Sequence, residues 1–161
     1  MTETAVILVP CAAAKAEQAM RAEELYTSPN FAHALTAAKR EAEATAAELG
    51  VTAKVMILSA RHGLLDLDDV VEPYDTKMGD ADDVEVTELI DQLVSLAPKQ
   101  VVAMLPSTYY QPVWEAVTEI NENGSDEDPW IDLLHVYEAA PGIGYQRGVA
   151  TSLTRTYRMS R

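Results

Sequence analysis

Two stretches of this chain concentrate side chains able to do chemistry, Cys11 to Ser28 and Ser59 to Asp75. The first supplies a thiol at Cys11, an ammonium at Lys15, a carboxylate at Glu24, a phenol at Tyr26 and hydroxyls at Thr27 and Ser28. The second supplies Ser59, Arg61, His62 and Gly63, then Glu72-Pro73-Tyr74-Asp75, where a proline stiffens a turn between two carboxylates. A cysteine just past a strand and near a helix start suits a nucleophile. Cysteine is also among the most often buried residue types, so space filling is the competing reading. Lys15 can set a cation over a phosphate or carboxylate, or lie on the surface. His62 is placed for general acid–base chemistry, since imidazole titrates near neutral pH, and Gly63 beside it permits a close backbone approach. Tyr74 offers a stacking face, and Asp75 can orient a water or accept hydrogen bonds from a base or sugar. Either Thr27 or Ser28 can cap the helix that follows, which leaves the other hydroxyl free. His33, inside a helical pattern, and His135, inside an apolar run, read as structural.

The elements that must position these groups follow from the hydrophobic pattern. Ala5 to Val9 (AVILV) and Lys54 to Ser59 (KVMILS) are short apolar, β-branched runs that suit strands buried on both faces of a parallel sheet. Gln100 to Leu105 reads as a third. Between the first two, Asn30 to Leu49 places Phe31, Ala34, Leu35, Ala38, Ala42 and Ala46 at helical spacing, with Gly50 as a stop. Helix signals resume near Val84 and run to Leu96 before Pro98, and again from Tyr109 to Ile120, where Pro112 fits the first turn. Ala60 to Gly63 reads as a loop opening a long acidic connection, and Asn121 to Pro129 as a polar loop. Trp130 to Val136 reads as a further short strand, Pro141 to Gly144 as a turn, and Tyr145 to Leu153 as a last helical pattern. Alternating strands and helices predict parallel strands with helical crossovers, and such sheets bind ligands at the carboxyl ends of their strands. That rule selects the loops after Val9, Ser59 and Leu105, the last carrying Ser107 and Tyr109.

Bulk properties narrow the classes. A chain of 161 residues, 48% hydrophobic and 24% charged, is expected to form one α/β domain over residues 1–161. One cysteine allows neither an internal disulfide nor a multi-cysteine metal site, so a reducing, cytoplasmic setting is expected. The N-terminus lacks the basic flank of a signal peptide, and no apolar run suits a membrane span. The net charge of −14 opposes binding to an extended phosphate backbone. It is unevenly spread: Asp66 to Asp91 holds eleven acidic residues and the single cation Lys77, while Arg147 to Arg161 holds four arginines and no acid. No phosphate-binding P-loop, Gly-x-Gly-x-x-Gly, His-Glu-x-x-His or Gly-x-Ser-x-Gly pattern occurs, so no cofactor and no metal are expected.

VPCAAAK at Val9 to Lys15, ELYTSPNF at Glu24 to Phe31, MILSARHGLLDLDDVVEPYDTKM at Met56 to Met78, and more loosely PGIGYQRGVATSL at Pro141 to Leu153 resemble domain-of-unknown-function family 6884, short proteins of bacteria and phages. That family is distantly similar to YaaA-like proteins and to the core of archaeosine synthase, in which a Pro-Cys-Ser-x-x-Lys opening and a later Tyr-Asp recur on a uracil-DNA-glycosylase-like fold. The resemblance implies nucleobase recognition or glycosidic chemistry, carried to Cys11, Lys15, Tyr26, Ser28, Ser59, His62, Gly63, Glu72, Tyr74 and Asp75. It departs at Ala12, which stands where the pattern has serine and supplies no hydroxyl.

The expected architecture is a three-layer sandwich with a mostly parallel central sheet, uracil-DNA-glycosylase-like or Rossmann-like. The leading functional expectation is a nucleobase- or nucleotide-processing protein whose partners include a nucleobase, a nucleotide or single-stranded nucleic acid. In it His62 and Asp75 manage a proton or water, Tyr74 stacks on a base and Lys15 meets phosphate. The second expectation, from another class, is a non-catalytic phage or accessory protein that binds a basic host protein through the acidic stretch.

Overall fold

A computed structural model of the chain describes residues 3–124 and 130–136. In chain order its elements are β1 (Thr4–Pro10), β2 (Met20–Arg21), α1 (Ala22–Leu25), α2 (Pro29–Leu49), β3 (Thr52–Ser59), β4 (Gly63–Asp66), β5 (Val70–Val71), α3 (Val86–Leu96), β6 (Gln100–Ala103), α4 (Ser107–Asn123) and β7 (Asp132–His135). Five strands form a mixed, mostly parallel sheet in the order β4-β3-β1-β6-β7. β1 is central: Ile7 faces Val55 of β3 on one side and Val102 of β6 on the other, both in parallel register. β7 extends the parallel part beside β6, and β4 turns back antiparallel on β3.

Successive strand side chains point to opposite faces, and the continuous apolar runs use both. Ile7, Val9, Val55 and Ile57 pack with Phe31, Ala38 and Ala42 of α2. Their neighbours Val6, Leu8, Met56 and Leu58 pack on the other face with Leu89 and Leu93 of α3 and with Val113, Ala116, Val117 and Ile120 of α4. The described residues therefore stack as helix, sheet and helices in three layers, the α/β arrangement that alternation predicts.

The helix ends show how sequence sets their limits. Ser28 Oγ accepts the Phe31 N–H at 3.0 Å, with Pro29 at the first helical position of α2. At the far end Gly50 adopts φ +63° and its N–H reaches Ala46 O. α4 starts at Ser107, earlier than the apolar pattern indicates, so Pro112 lies inside the helix rather than in its first turn. There it has no N–H for the Thr108 carbonyl four residues back. α4 also absorbs Asn121 to Asn123, and the Asn121 side-chain amide clamps both backbone groups of Ile131 just before β7.

The connection after Ser59 is not a plain loop. Ala60 to His62 makes a tight turn into β4, and further on β5 pairs antiparallel with β2, two residues against two. Segments of two to four residues are too short for a period to register. Residues 141–153, where a turn and a last helix are expected, lie outside the described residues. Among the described residues no helix is long and apolar enough to cross a membrane.

Candidate functional site

β1 and β6 are neighbours, yet the chain leaves them toward opposite faces: β1 leads to α2, β6 to α4. Between two such strands the carboxyl ends part into a crevice, the topological switch point where open α/β sheets take ligands. Cys11 and Tyr109 meet across it. The Cys11 N–H extends the ladder to Leu58 O, the Cys11 Sγ lies 3.3 Å from the Tyr109 hydroxyl, and the Ala60 N–H points at the sulfur from 3.4 Å. The buried thiol thus ties together the ends of β1, β3 and α4.

A second knot forms at the end of β3. Ser59 is fully buried, as expected of a residue that continues the inward row of Val55 and Ile57. Its hydroxyl donates to the Tyr74 hydroxyl at 2.7 Å and accepts the N–H groups of His62 at 3.0 Å and Arg61 at 3.2 Å. The Tyr74 hydroxyl also bonds that of Tyr26. Burial is the main cause that raises all three phenols: Tyr26 is pushed up to about 12, and Tyr74 and Tyr109 higher still, with Cys11 nearby adding to each. All stay neutral at physiological pH and keep their protons for hydrogen bonding.

Lys15 joins this knot through a backbone bridge to Tyr26. Its ammonium lies 4.4 Å from the centre of the Tyr74 ring and 5.8 Å from that of Tyr26, and donates to Ala13 O at 3.2 Å. A cation over an aromatic face is held by the ring quadrupole. It also covers one face of Tyr74, so a stacked base has at most the other. The His62 ring meets Tyr74 edge-on, 5.4 Å between centres. Burial, and then the Arg61 cation, lower the His62 pKa, which favours the neutral imidazole a general base requires.

Two cavities open on this edge of the sheet. A groove of about 1020 Å³ runs past Arg61, His62, Glu72, Tyr74, Asp75 and Asp82. At the switch point a cavity of about 600 Å³ is walled by Cys11, Lys15, Asp75, Lys77, Thr108 and Tyr109. Asp75 and Thr76 border both. Much of the acidic stretch caps its own backbone: Asp69, Asp80 and Asp83 accept the N–H groups of Asp66, Lys77 and Gly79, and Asp82 holds Thr76 and Arg61. Glu72 and Asp75 have no hydrogen bond or ion pair with another described residue, so their oxygens face the groove unspent.

Of the residues singled out in the sequence, Cys11, Lys15, Tyr26, Ser59, His62, Glu72, Tyr74 and Asp75 converge here. Gly63 supports them with φ +73° in the turn after His62. Ser28 does not join: its hydroxyl is the cap of α2, and it lines neither cavity. Glu24 and His33 also lie outside both walls, and His135 stacks on Tyr110 with ring centres 3.7 Å apart. Gln92 carried no signal inside the helical pattern of α3. Its side-chain amide accepts the Leu64 N–H at 2.9 Å and donates to His62 O at 3.0 Å, clamping the turn that presents His62. Among the described residues no group of three or more histidine, cysteine, aspartate or glutamate side chains is arranged to hold a metal ion.

A family model, described as a family of unknown function (DUF6884), matches residues 6–126. The chain belongs to DUF6884. The matched span runs from β1 through α4 and so contains every residue of both cavity walls. No curated protein and no solved structure matches the chain. What a DUF6884 protein does with this edge must therefore be argued from its chemistry.

Proposed function

We propose that this edge of the sheet recognises or processes a nucleobase or nucleotide, with glycosylase-like chemistry, in bacterial or phage nucleic-acid metabolism. The observation that carries the reading is the convergence of Lys15, His62, Tyr74 and Asp75 on two cavities sharing the Asp75–Thr76 wall. Glycosidic cleavage needs a group to take a proton from, or orient, the attacking water, and negative charge to offset the positive charge that grows on the sugar as the base leaves with the bonding electrons. His62, favoured in its neutral form, and Asp75, with unspent oxygens, border one groove and are assigned those roles. The neutral phenols and the Lys15 ammonium contribute donors of the kind that read base edges and phosphate. Cys11 is assigned a holding rather than an attacking role, since its sulfur already engages Tyr109 and the Ala60 N–H. The likeness to YaaA-like proteins and to a uracil-DNA-glycosylase-like core, in a single domain spanning the chain, belongs to this reading.

The test is a thermal-shift screen against bases, nucleosides and nucleotides, followed by turnover assays on whatever stabilises the protein. A ligand that binds only the native state raises its melting temperature. His62→Ala or Asp75→Asn should abolish processing while the fold survives. Full activity of both variants on an identified substrate would sink these roles.

The second reading is non-catalytic, a basic host protein held along the acidic groove. Glu72 and Asp75, exposed on the rim without a hydrogen bond or ion pair to another described residue, favour it. It predicts a salt-sensitive complex with a basic protein, weakened by Glu72→Gln with Asp75→Asn, and no small-molecule shift.

A further inference from the structure

We infer that the switch-point cavity receives the phosphate of a mononucleotide on Lys15 and Lys77, so that the ligand is a nucleoside monophosphate rather than a free base or nucleoside. The inference rests on the proposed function for the nucleobase half of the ligand and on the cavity itself for the phosphate half.

Charge is sorted across the Asp75–Thr76 wall. The groove on one side carries Asp69, Glu72, Asp80 and Asp82, and its Arg61 is paired with Asp82. The cavity on the other side carries Lys15 and Lys77, opposed only by Asp75 on the shared wall. In a chain with 26 acidic and 12 basic residues, a cavity walled by two cations and one carboxylate runs against the background. Lys77 is the more telling of the pair. It is the one cation among eleven acidic residues from Asp66 to Asp91, yet its ammonium forms no ion pair with any described residue, and Lys77 is part of the cavity wall. The nearby Asp80 carboxylate is turned to the Lys77 backbone N–H.

Lys15 is preorganised. Its position over Tyr74 fixes the ammonium, and among the described residues only Ala13 O engages one of its three N–H groups. Thr108 and Tyr109 complete the wall. Two ammonium groups with unspent donors suit the several acceptor oxygens of a phosphate monoester. A volume of about 600 Å³ falls in the range of about 300–1,000 Å³ typical of small-molecule sites. The acidic exterior opposes a long phosphate backbone, which selects the mononucleotide over a polymer.

The experiment is calorimetric titration of the full chain with inorganic phosphate, the common nucleosides, their 5′-monophosphates and a short single-stranded oligonucleotide, at low and high salt. At least one monophosphate should bind about tenfold or more tighter than its nucleoside, with the advantage shrinking as salt rises. Lys77→Ala should remove that advantage and leave the melting temperature unchanged, because the Lys77 residue is exposed and its side chain has no hydrogen bond or ion pair with a described residue to lose. Lys15→Ala should do the same to binding. Equal affinity for nucleoside and monophosphate overturns the phosphate assignment and leaves the nucleobase reading standing. Phosphate and every monophosphate bound alike, with no nucleoside bound, uphold the anion site and overturn the nucleobase reading. An oligonucleotide bound more tightly than any mononucleotide replaces the ligand class, and binding of none of them removes both.

Discussion

The Ser59 hydroxyl donates to the Tyr74 hydroxyl at 2.7 Å, joining the end of β3 to the Glu72-Pro73-Tyr74-Asp75 turn fifteen residues away. The same oxygen accepts the backbone N–H of His62. One buried hydroxyl therefore fixes both the backbone of the proposed base, His62, and the turn that carries Asp75. Ser59→Ala leaves the Arg61 and His62 N–H groups and the Tyr74 hydroxyl without this partner, whose residue is fully buried. An unsatisfied buried group costs about 1–3 kcal/mol, so a loss of that size is expected in urea denaturation. Tyr74→Phe, which spares the two backbone bonds to Ser59, should cost less. Equal stability of Ser59→Ala and the parent chain would refute the coupling.

Ser28→Ala separates a cap from a ligand contact. Its hydroxyl satisfies the Phe31 N–H at the start of α2. Losing a serine cap costs about 1 kcal/mol. The variant should unfold earlier by that amount and bind any ligand from the screen as the parent does. Weakened binding with unchanged stability would return Ser28 to the site.

The sequence made the long elements legible and the short ones not. β1, β3 and α2 follow from runs of apolar residues whose period is written several times over, and the two faces of β1 are each filled by alternate members of one such run. β2, β4 and β5 rest on two to four residues each, and their pairing is set by tertiary contact that no local pattern encodes. The site was legible to the extent that it obeys position. Cys11 and Ser59 stand at the ends of buried strands, where a parallel sheet presents its ligand face. What position could not tell is which polar group is spent internally. Ser28 and Tyr26 look alike as loop hydroxyls, yet one closes a helix and the other bonds Tyr74. Gln92 was invisible because its contribution depends on α3 lying beside the β3–β4 turn, a relationship between segments thirty residues apart.

Stability should fall in acid partly through His62. Burial, with Arg61 beside it, depresses its folded-state pKa below the ordinary value of 6.5. The unfolded chain therefore takes up the proton first as pH drops. The stability contributed by neutral His62 is present above the unfolded pKa and is lost as pH falls through the folded one. An NMR titration should give His62 a midpoint below the ordinary imidazole value of 6.5. Between about pH 7 and pH 5 the parent chain should lose more stability than His62→Gln. A His62 midpoint above 6.5 would contradict this and weaken its assignment as a base.

The turn after His62 should tolerate no side chain at Gly63, for two separable reasons. Its φ of +73° lies in the left-handed region, which costs an ordinary L-residue about 1–2 kcal/mol. A Cβ there would also stand only 2.4 Å from the Gln92 side-chain oxygen, the atom that accepts the Leu64 N–H. Gly63→Ala must therefore bear the backbone strain and also displace Gln92 from its clamp. Gln92→Ala loses the clamp but leaves room for the methyl. The double variant should accordingly be more stable than the sum of the two single losses implies, because the clash and the broken clamp are counted once instead of twice. Denaturation of the four proteins of this cycle measures the difference. Strict additivity would mean that a methyl group on residue 63 does not disturb the Gln92 clamp.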